Sequence, residues 1–296
     1  MLLVTGASGL SGSAIIREFA RQGYPIRALV RNRAKAQALE TLPTVEIVEG
    51  DMLRPGTLAD ALSGVERVLL ISTADQQMAE TQCAFIEAAR KAGVHHIIKF
   101  SGAESGVGFN QRNFRFTRMH EDVEHYLEQS GLAWTHLRPS QFMQVYLREA
   151  PTIIAQDALF LPMENARLSP IDIEDIAKIA CALLRTGREH EGKSYDMTGP
   201  ESLTMTDVAE QISRAIGRNI RYVNVTPAER RQALLAKGGV SAYFADALDE
   251  QVSERLKCAE AQVCLDAHKE FGIEPTTFAE FARRNAAVFR GELARS

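Results

Sequence analysis

The feature that most limits the possible folds is an alternation of two hydrophobic periods in the first half of the chain. Short apolar runs, rich in β-branched residues, are followed by longer stretches at helical spacing. The runs span residues 2–5, 26–30, 45–49, 65–72, 95–101 and 133–139, and the helical stretches lie near 10–22, 33–41, 57–63, 76–92 and 117–130. Such alternation folds into a parallel sheet with helices on both faces. The sequence therefore predicts an α/β fold with a doubly wound, Rossmann-type parallel sheet.

The pattern becomes mainly helical after Pro139. Helices are predicted at 173–185, 204–217, 227–237, 243–257 and 276–290, and short strands at 194–198 and 220–225. No low-complexity linker separates the two halves, so we expect them to pack together. We predict a Rossmann domain over residues 1–150, to which elements near 168–200 return, and a smaller, mainly helical C-terminal part over 151–296.

A glycine-rich loop joins the first predicted strand to the first predicted helix. It reads Gly6-Ala7-Ser8-Gly9-Leu10-Ser11-Gly12, with three glycines at three-residue spacing. Glycine permits a tight turn and close approach of a pyrophosphate, and the helix N-terminus offers unpaired N–H groups to phosphate oxygens. The loop therefore predicts a dinucleotide site, and a glycine-rich turn without a ligand is the alternative. The loop residues assigned to this site are Gly6, Ser8, Gly9, Leu10, Ser11 and Gly12.

The end of the second predicted strand indicates which dinucleotide is bound. An NAD-selective site places an acidic residue there to bind the ribose 2′-hydroxyl. This strand ends instead in Arg31-Asn32, and Lys35 follows one turn later. Because a guanidinium can pair with a 2′-phosphate and a lysine can add a second positive charge, we predict NADP(H) rather than NAD(H). The alternative is that Arg31 is an ordinary surface arginine.

Further cofactor contacts are predicted where the third and fourth strands end. Ligands of such sheets bind outside the carboxyl ends of the strands. Asp51 and Met52 follow the third strand and are assigned to the adenine side. Ser72, Thr73 and Ala74 end the fourth strand and are assigned to the part of the cofactor that crosses the sheet edge.

With these residues in place, the chain resembles the NmrA-like group of atypical short-chain dehydrogenases/reductases. Within that group it is similar to NADPH-dependent quinone oxidoreductases and triphenylmethane-dye reductases. The resemblance implies a Rossmann domain with a smaller C-terminal domain that closes over the nicotinamide. The matching segments include VTGASGLSG, ALVRNRAKAQAL, VERVLLIS, AARKAGVHHIIKFS and VEHYLEQSGLAWTHLRP.

The resemblance raises a catalytic question, because most members of the superfamily carry Tyr-x-x-x-Lys on the helix after the fifth strand. At the corresponding positions this chain has Phe116 and His120. Phe116 has no proton to donate, whereas His120 can hold a ribose hydroxyl or donate a proton near neutral pH. We assign His120 to cofactor binding and catalysis, and we assign Ser101, at the end of the fifth strand, as a second catalytic candidate that would contact the ligand. A purely structural histidine is the alternative.

A site without the tyrosine favours acceptors that take hydride into a conjugated system, since these need mainly placement and exclusion of water. Aromatic and methionine side chains suit flat, apolar acceptors, although each can also be ordinary core. Phe114, Met163, Tyr243 and Phe244 are further candidates. The residues assigned to the substrate pocket are Phe109, Phe116, Phe142, Met143, Tyr146 and Phe160.

Composition limits the classes of partner, metal site and location that we expect for this protein. The net charge of −4 and the lack of a long basic run give no support for nucleic acid or an anionic membrane as partner. The four cysteines form no C-x-x-C pair, and no run of about 18 apolar residues occurs. We therefore expect a cytoplasmic protein without a metal site, a monomer or homodimer that takes a small-molecule hydride acceptor.

Two functions are compatible with these sequence features. The first is an NADPH-dependent reductase of quinones, dyes, enones or imine-like compounds. The second is a non-catalytic NADP(H)-sensing regulator, which the absence of the tyrosine keeps open. A sugar-nucleotide epimerase or dehydratase is disfavoured, because that chemistry needs the tyrosine.

Overall fold

The computed structural model describes residues 1–238 and 240–292. Strands and helices are numbered in chain order. The strands are β1 (Leu2–Val4), β2 (Ile26–Val30), β3 (Val45–Glu49), β4 (Arg67–Leu70), β5 (His96–Phe100), β6 (Ala133–Pro139), β7 (Ala158–Leu161), β8 (Lys193–Met197) and β9 (Arg221–Asn224).

The α-helices form the layers around these strands. They are α1 (Leu10–Arg21), α2 (Gln37–Glu40), α3 (Ala59–Leu62), α4 (Met78–Lys91), α5 (Arg115–Glu128), α6 (Ala150–Gln156), α7 (Ile173–Arg185), α8 (Met205–Ile216), α9 (Pro227–Ala236), α10 (Ala242–Arg255), α11 (Asp266–Phe271), α12 (Phe278–Arg284) and α13 (Ala286–Arg290). In the described residues, none of these helices has the length and apolar character needed to cross a membrane.

Seven of the described strands form one parallel sheet in the order β3-β2-β1-β4-β5-β6-β8. The order reverses between β1 and β4, and this switch point is where the carboxyl ends of the strands leave a crevice for a ligand. The predicted Rossmann-type fold is confirmed. β8 joins the sheet beside β6, so the chain returns to the seven-stranded sheet after β7.

Both faces of the sheet are buried, which explains the continuously apolar strands. Neighbouring residues of β5 show the alternation: Ile98 packs in the core beneath α1 and α7, whereas Ile97 packs in the core beneath α4 and α5. Lys99 lies one residue further along β5, and its side chain is nevertheless 0% exposed. A lysine in a doubly covered strand needs a specific partner, since a buried ammonium is costly.

The C-terminal part has its own core, built around a parallel pair of strands, β7 and β9. Four features differ from the sequence prediction. β7, α6 and α11 are absent from the predicted elements, and the predicted helix over 276–290 divides into α12 and α13. The division follows from Asn285, whose backbone has φ −103° and ψ 14° and whose side chain donates to the carbonyl oxygen of Phe281 at 2.9 Å.

Candidate active site

The glycine loop forms a turn that only glycine can accommodate at two positions. Gly6 has φ +58°, in the left-handed region. A Cβ atom on Gly12 would lie 2.3 Å from the carbonyl oxygen of Gly6, so the first turn of α1 packs directly on the loop backbone. The N-cap, Gly9, brings no side chain to the first amides of α1, and no acidic residue stands in that turn. This turn fits the pyrophosphate of a dinucleotide.

The exposed surface of the turn carries the remaining loop residues. Ser8 and Gly9 are exposed, and Leu10 is 53% exposed although it is a large apolar residue. Ser11 is buried beside Gly12 in the first turn of α1. The exposed part of the loop is therefore free to contact a ligand at the edge of the sheet.

Arg31 and Lys35 lie on exposed backbone just past β2. Among the described residues, neither side chain has a hydrogen-bond or ion-pair partner, whereas the neighbouring Arg33 is paired with Glu40 at 2.6 Å. The side chain of Asn32 accepts from the amide of Ala34 at 2.9 Å and so begins the short 3₁₀ turn that carries Lys35. Two unpaired cations at the end of β2 fit a bound phosphate.

The other predicted cofactor residues occupy the loops after β3 and β4. The carboxylate of Asp51 accepts from the amide of Leu53 at 3.1 Å, which shapes the loop after β3. Ser72 receives a hydrogen bond from Gln82 of α4 at 2.8 Å. Met52 packs against the core under α4, Thr73 is exposed, and Ala74 packs against an aromatic cluster described below.

His120 lies on α5 with its ring between the protein interior and the edge of the sheet. Its Nδ1 atom is 2.9 Å from Nζ of the buried Lys99. The opposite edge of the ring faces Gly102, where a Cβ atom would lie 3.5 Å from Nε2 and 3.4 Å from Cδ2. Gly102 lies two residues beyond the end of β5, so Nε2 lies at the carboxyl edge of the sheet.

Lys99 is a site residue that the sequence patterns do not single out. Its Nζ atom also donates to Oγ of Ser101 at 3.2 Å, and it thereby connects Ser101 to His120. The available signal is a single lysine within the apolar run IIKFS, because a charge in a strand buried on both faces requires a local partner.

The environment lowers the pKa values of both members of this pair. Burial lowers the pKa of Lys99 to about 7, against the opposing effect of the Glu124 carboxylate. Burial, and then the positive charge of Lys99, hold the pKa of His120 well below its usual value. Near pH 6 the pair therefore consists of an ammonium and a neutral imidazole.

Glu124 and Arg138 form a second charged pair next to Lys99. Arg138 of β6 contacts Glu124 of α5 at 2.5 Å. Burial works against ionisation of Glu124, but hydrogen bonds from Arg138 and Ser101 outweigh it and lower the pKa of the carboxyl group. Ser101 thus accepts a hydrogen bond from Lys99, and its hydroxyl also favours the ionised form of Glu124.

An aromatic cluster lies one helical turn before His120. Phe116 contacts Phe114 edge-to-face at a centroid distance of 5.6 Å, and it contacts Tyr243 and Phe244 of α10 at 6.2 and 5.7 Å. Phe109 packs edge-to-face on Phe114. The structure therefore brings Phe109 and Phe116 together with α10.

Polar contacts hold α10 over this cluster. Arg115 donates to Glu250 through Nη2 at 2.6 Å and through Nε at 3.0 Å, and its guanidinium lies over the ring of Tyr243 at 4.4 Å. Glu104, in the loop after β5, accepts two hydrogen bonds from the buried Arg255. These contacts fix α10 to α5 and to the loop after β5, so that α10 covers the aromatic cluster.

The other predicted pocket residues lie elsewhere. Met143 and Tyr146 are buried in the C-terminal core, where Tyr146 packs edge-to-face on Phe278 at 5.2 Å. Phe142 contacts Phe100 at 6.1 Å, close to the end of β5. Phe160 is half-buried on β7.

A polar cavity of about 280 Å³ opens beside α5, and Gly102, which faces the ring of His120, is part of its lining. It lies beyond the ends of β5, β6 and β8, and its lining includes Glu124, Arg138, Ser140 and Thr198. None of the six aromatic and methionine residues assigned to the substrate pocket lines it. The cavity reaches Glu124, and Ser101, whose hydroxyl favours the ionised form of Glu124, accepts a hydrogen bond from Lys99.

Comparison with known proteins finds similar reductases and a similar regulator. The NAD(P)H azoreductase of Xenophilus azovorans is 34% identical over 290 residues, which cover 98% of this chain and 99% of the relative. The structure of the NADPH-dependent quinone oxidoreductase of Escherichia coli, complexed with NADPH, is 29% identical, covers 96% of this chain and 99% of that chain, and has a TM-score of 0.82. NmrA, a negative transcriptional regulator solved with NADP, shares the fold at 18% identity, with a TM-score of 0.80 and coverage of 98% of this chain and 97% of that chain.

The resemblance read from the motifs is confirmed by a family model. That model, described as the NmrA-like family, matches residues 1–283, which includes both the sheet domain and most of the C-terminal part. This chain therefore belongs to the NmrA-like family.

Proposed function

We propose that this protein is an NADPH-dependent reductase that passes a hydride to a conjugated small molecule, such as a quinone, dye, enone or imine-like compound. The observation that supports the proposal is that three features of the candidate site lie at the same edge of the sheet. The glycine turn, the Nε2 edge of His120 and the aromatic cluster beneath α10 all lie at the carboxyl edge of one parallel sheet. A cofactor and a flat acceptor can meet there.

NADPH, when bound, would supply the hydride. The turn from Gly6 to Gly12 would hold its pyrophosphate, and Arg31 and Lys35 would hold its 2′-phosphate. Asp51 and Met52 would lie on the adenine side. Ser72, Thr73 and Ala74, at the end of β4, would lie towards the nicotinamide-side ribose.

The remaining residues would place the acceptor and exclude water. Phe116, Tyr243 and Phe244 offer ring faces and edges to a flat conjugated molecule, and burial under α10 keeps solvent out. The Nε2 edge of His120 would face either the acceptor or a ribose hydroxyl. The names of the two relatives, an azoreductase and a quinone oxidoreductase, support acceptors of this kind.

The test is turnover of purified protein with NADPH and a panel of quinones, azo compounds and triphenylmethane dyes, followed by loss of the near-UV absorbance of the reduced cofactor. We expect oxidation with at least one acceptor and a lower rate for the His120→Ala variant. The exposed His125 of the same helix gives the matched control, His125→Ala, which keeps the rate. Tight NADP binding without turnover of any acceptor would instead support the NADP(H)-sensing regulator.

A further inference from the structure

The Lys99 ammonium is a fully buried group to which the proposed hydride transfer assigns no role. Its side chain is 0% exposed, and it contacts Nδ1 of His120 at 2.9 Å and Oγ of Ser101 at 3.2 Å. An ammonium has three donors and no acceptor. The contact with His120 can therefore form only if Nδ1 is the unprotonated nitrogen of the ring.

This contact determines the tautomer of His120. With Nδ1 accepting from Lys99, the proton of a neutral imidazole sits on Nε2. Nε2 lies on the side of the ring that faces Gly102 and the edge of the sheet. The ring thus presents a donor to the place where an acceptor would receive a hydride.

We propose that Lys99 is a positioning residue that fixes His120 in the Nε2–H tautomer and replaces the proton that His120 gives to the reduced acceptor. The proposal rests on the proposed reductase function. It adds that quinones and azo compounds, which gain an anionic oxygen or nitrogen on reduction, receive their proton from His120 and Lys99.

The proton transfer balances as follows. As a quinone carbonyl oxygen becomes an oxyanion, the N–H bond at Nε2 of His120 breaks and an O–H bond forms. A proton passes from Nζ of Lys99 to Nδ1, so the imidazole stays neutral. Lys99 ends as an amine, the ring ends as the Nδ1–H tautomer, and the product gains one proton. An imidazolate, which would be costly in this buried place, never forms.

Lys99 can regain its proton from the polar cavity beyond the ends of β5, β6 and β8. Lys99 donates to Ser101, the hydroxyl of Ser101 favours the ionised form of Glu124, and Glu124 lines the cavity. The titratable and charged groups near Lys99 are His120 and Glu124 of α5, His136 and Arg138 of β6, and Cys83 of α4. Because burial, against the opposing Glu124 carboxylate and together with Arg138, lowers the pKa of Lys99 to about 7, Lys99 can change between ammonium and amine near pH 7.

Two acceptors separate this role from a structural one. Reduction of 1,4-naphthoquinone needs a proton, whereas hydride addition to the cation malachite green gives a neutral product without one. We expect Lys99→Met to lower the naphthoquinone kcat at least tenfold more than the malachite green kcat. An equal fall for both acceptors, with unchanged NADPH affinity, would overturn the proton-supplying role.

The wild-type protein gives a second measurement that does not depend on folding of the variant. Since the ammonium is needed, we expect the ratio of naphthoquinone kcat to malachite green kcat to fall as pH rises through about 7. A ratio that stays constant from pH 6 to 9 would contradict the relay.

The positioning role can also be measured without turnover. Nitrogen-15 NMR of the cofactor-free protein at pH 6, assigned by comparison with His120→Gln, is expected to show His120 as the Nε2–H tautomer. Lys99→Met should lose that preference. A Nδ1–H tautomer in the wild type would overturn the proposal even if the protein reduces every acceptor. If the expected tautomer is found but no acceptor is reduced, only the reductase function and its proton transfer are contradicted.

Discussion

The Nζ atom of Lys99 lies 2.9 Å from Nδ1 of His120, so a residue of β5 brings its side chain against a histidine of α5. Phe116, one helical turn before His120, is part of an aromatic cluster. The candidate site therefore combines an amine-bearing side chain and an imidazole that come from two different elements, β5 and α5.

Replacement of Arg31 tests cofactor selectivity. If Arg31 pairs with the 2′-phosphate, Arg31→Glu removes a charge-assisted contact and adds repulsion, so we expect the Kd for NADPH to rise roughly 10- to 100-fold. The Kd for NADH, which lacks the phosphate, is expected to change far less. Fluorescence titration with both cofactors measures the two effects.

Arg33→Glu is the matched control for this experiment, because Arg33 is close in sequence but already paired with Glu40. We expect it to leave the preference for NADPH over NADH in place. If Arg31→Glu weakened both cofactors equally, Arg31 would not read the phosphate.

Addition of one methyl group at Gly12 tests the glycine turn. The new Cβ atom would lie 2.3 Å from the carbonyl oxygen of Gly6, so the loop must shift. We expect Gly12→Ala to abolish cofactor binding and to destabilise the fold by about 1–3 kcal/mol, as overpacking does. Thermal unfolding and cofactor titration give the two numbers.

Gly56 supplies the comparison, since a Cβ atom there would meet no atom within 4 Å. Gly56→Ala is expected to bind cofactor normally and to keep or slightly raise the stability. Normal cofactor binding by Gly12→Ala would show that the turn does not need its close packing.

Several elements could be predicted from sequence because their signal is local. β6 has the bounds that its apolar run indicates, and Thr204 with Asp207 forms the capping box that begins α8. The positions of Arg31 and Lys35 follow from the end of β2 alone. Period and capping depend on a few neighbouring residues, so a single sequence carries them.

Other features depend on contacts between distant segments. β7 is four residues long and pairs with β9, about 60 residues later, which no local pattern indicates. Tyr146 is aromatic, as residues of an apolar pocket often are, but it packs on Phe278 of α12. The contact between Lys99 and His120 requires the register of α5 on β5, which is fixed only when the whole domain packs.

Truncation of Phe244 tests whether α10, which covers the aromatic cluster, helps to bind the acceptor. Phe244 contacts Phe116 at a centroid distance of 5.7 Å and belongs to the helix that covers the aromatic cluster. If it helps to bind a flat acceptor, Phe244→Ala should raise the KM for the acceptor roughly tenfold while leaving the Kd for NADPH near its original value. Leu235→Ala, at an exposed position of α9, is the control and is expected to change neither. A higher Kd for NADPH with an unchanged acceptor KM would place Phe244 against the cofactor instead.

The cost of burying Lys99 predicts a pH-dependent gain in stability when it is removed. Burial lowers the pKa of Lys99 from 10.5 to about 7 in the folded protein. Between those values the unfolded chain holds a proton that the folded protein has released, so wild-type stability rises with pH in that window. Below pH 7 both states are protonated and the full cost of the buried ammonium is present.

Lys99→Met removes this cost, so its advantage over the wild type should be largest at pH 6. Between pH 7 and 9 the advantage should shrink by up to about 1.4 kcal/mol per pH unit, the linkage for one proton. Urea unfolding at pH 6, 7.5 and 9 measures the difference. Lys91→Met, at an exposed position at the end of α4, is expected to show no such trend. A difference between Lys99→Met and the wild type that does not vary with pH would mean that Lys99 keeps an ordinary lysine pKa in the folded protein, and its ammonium could then not give up a proton near neutral pH.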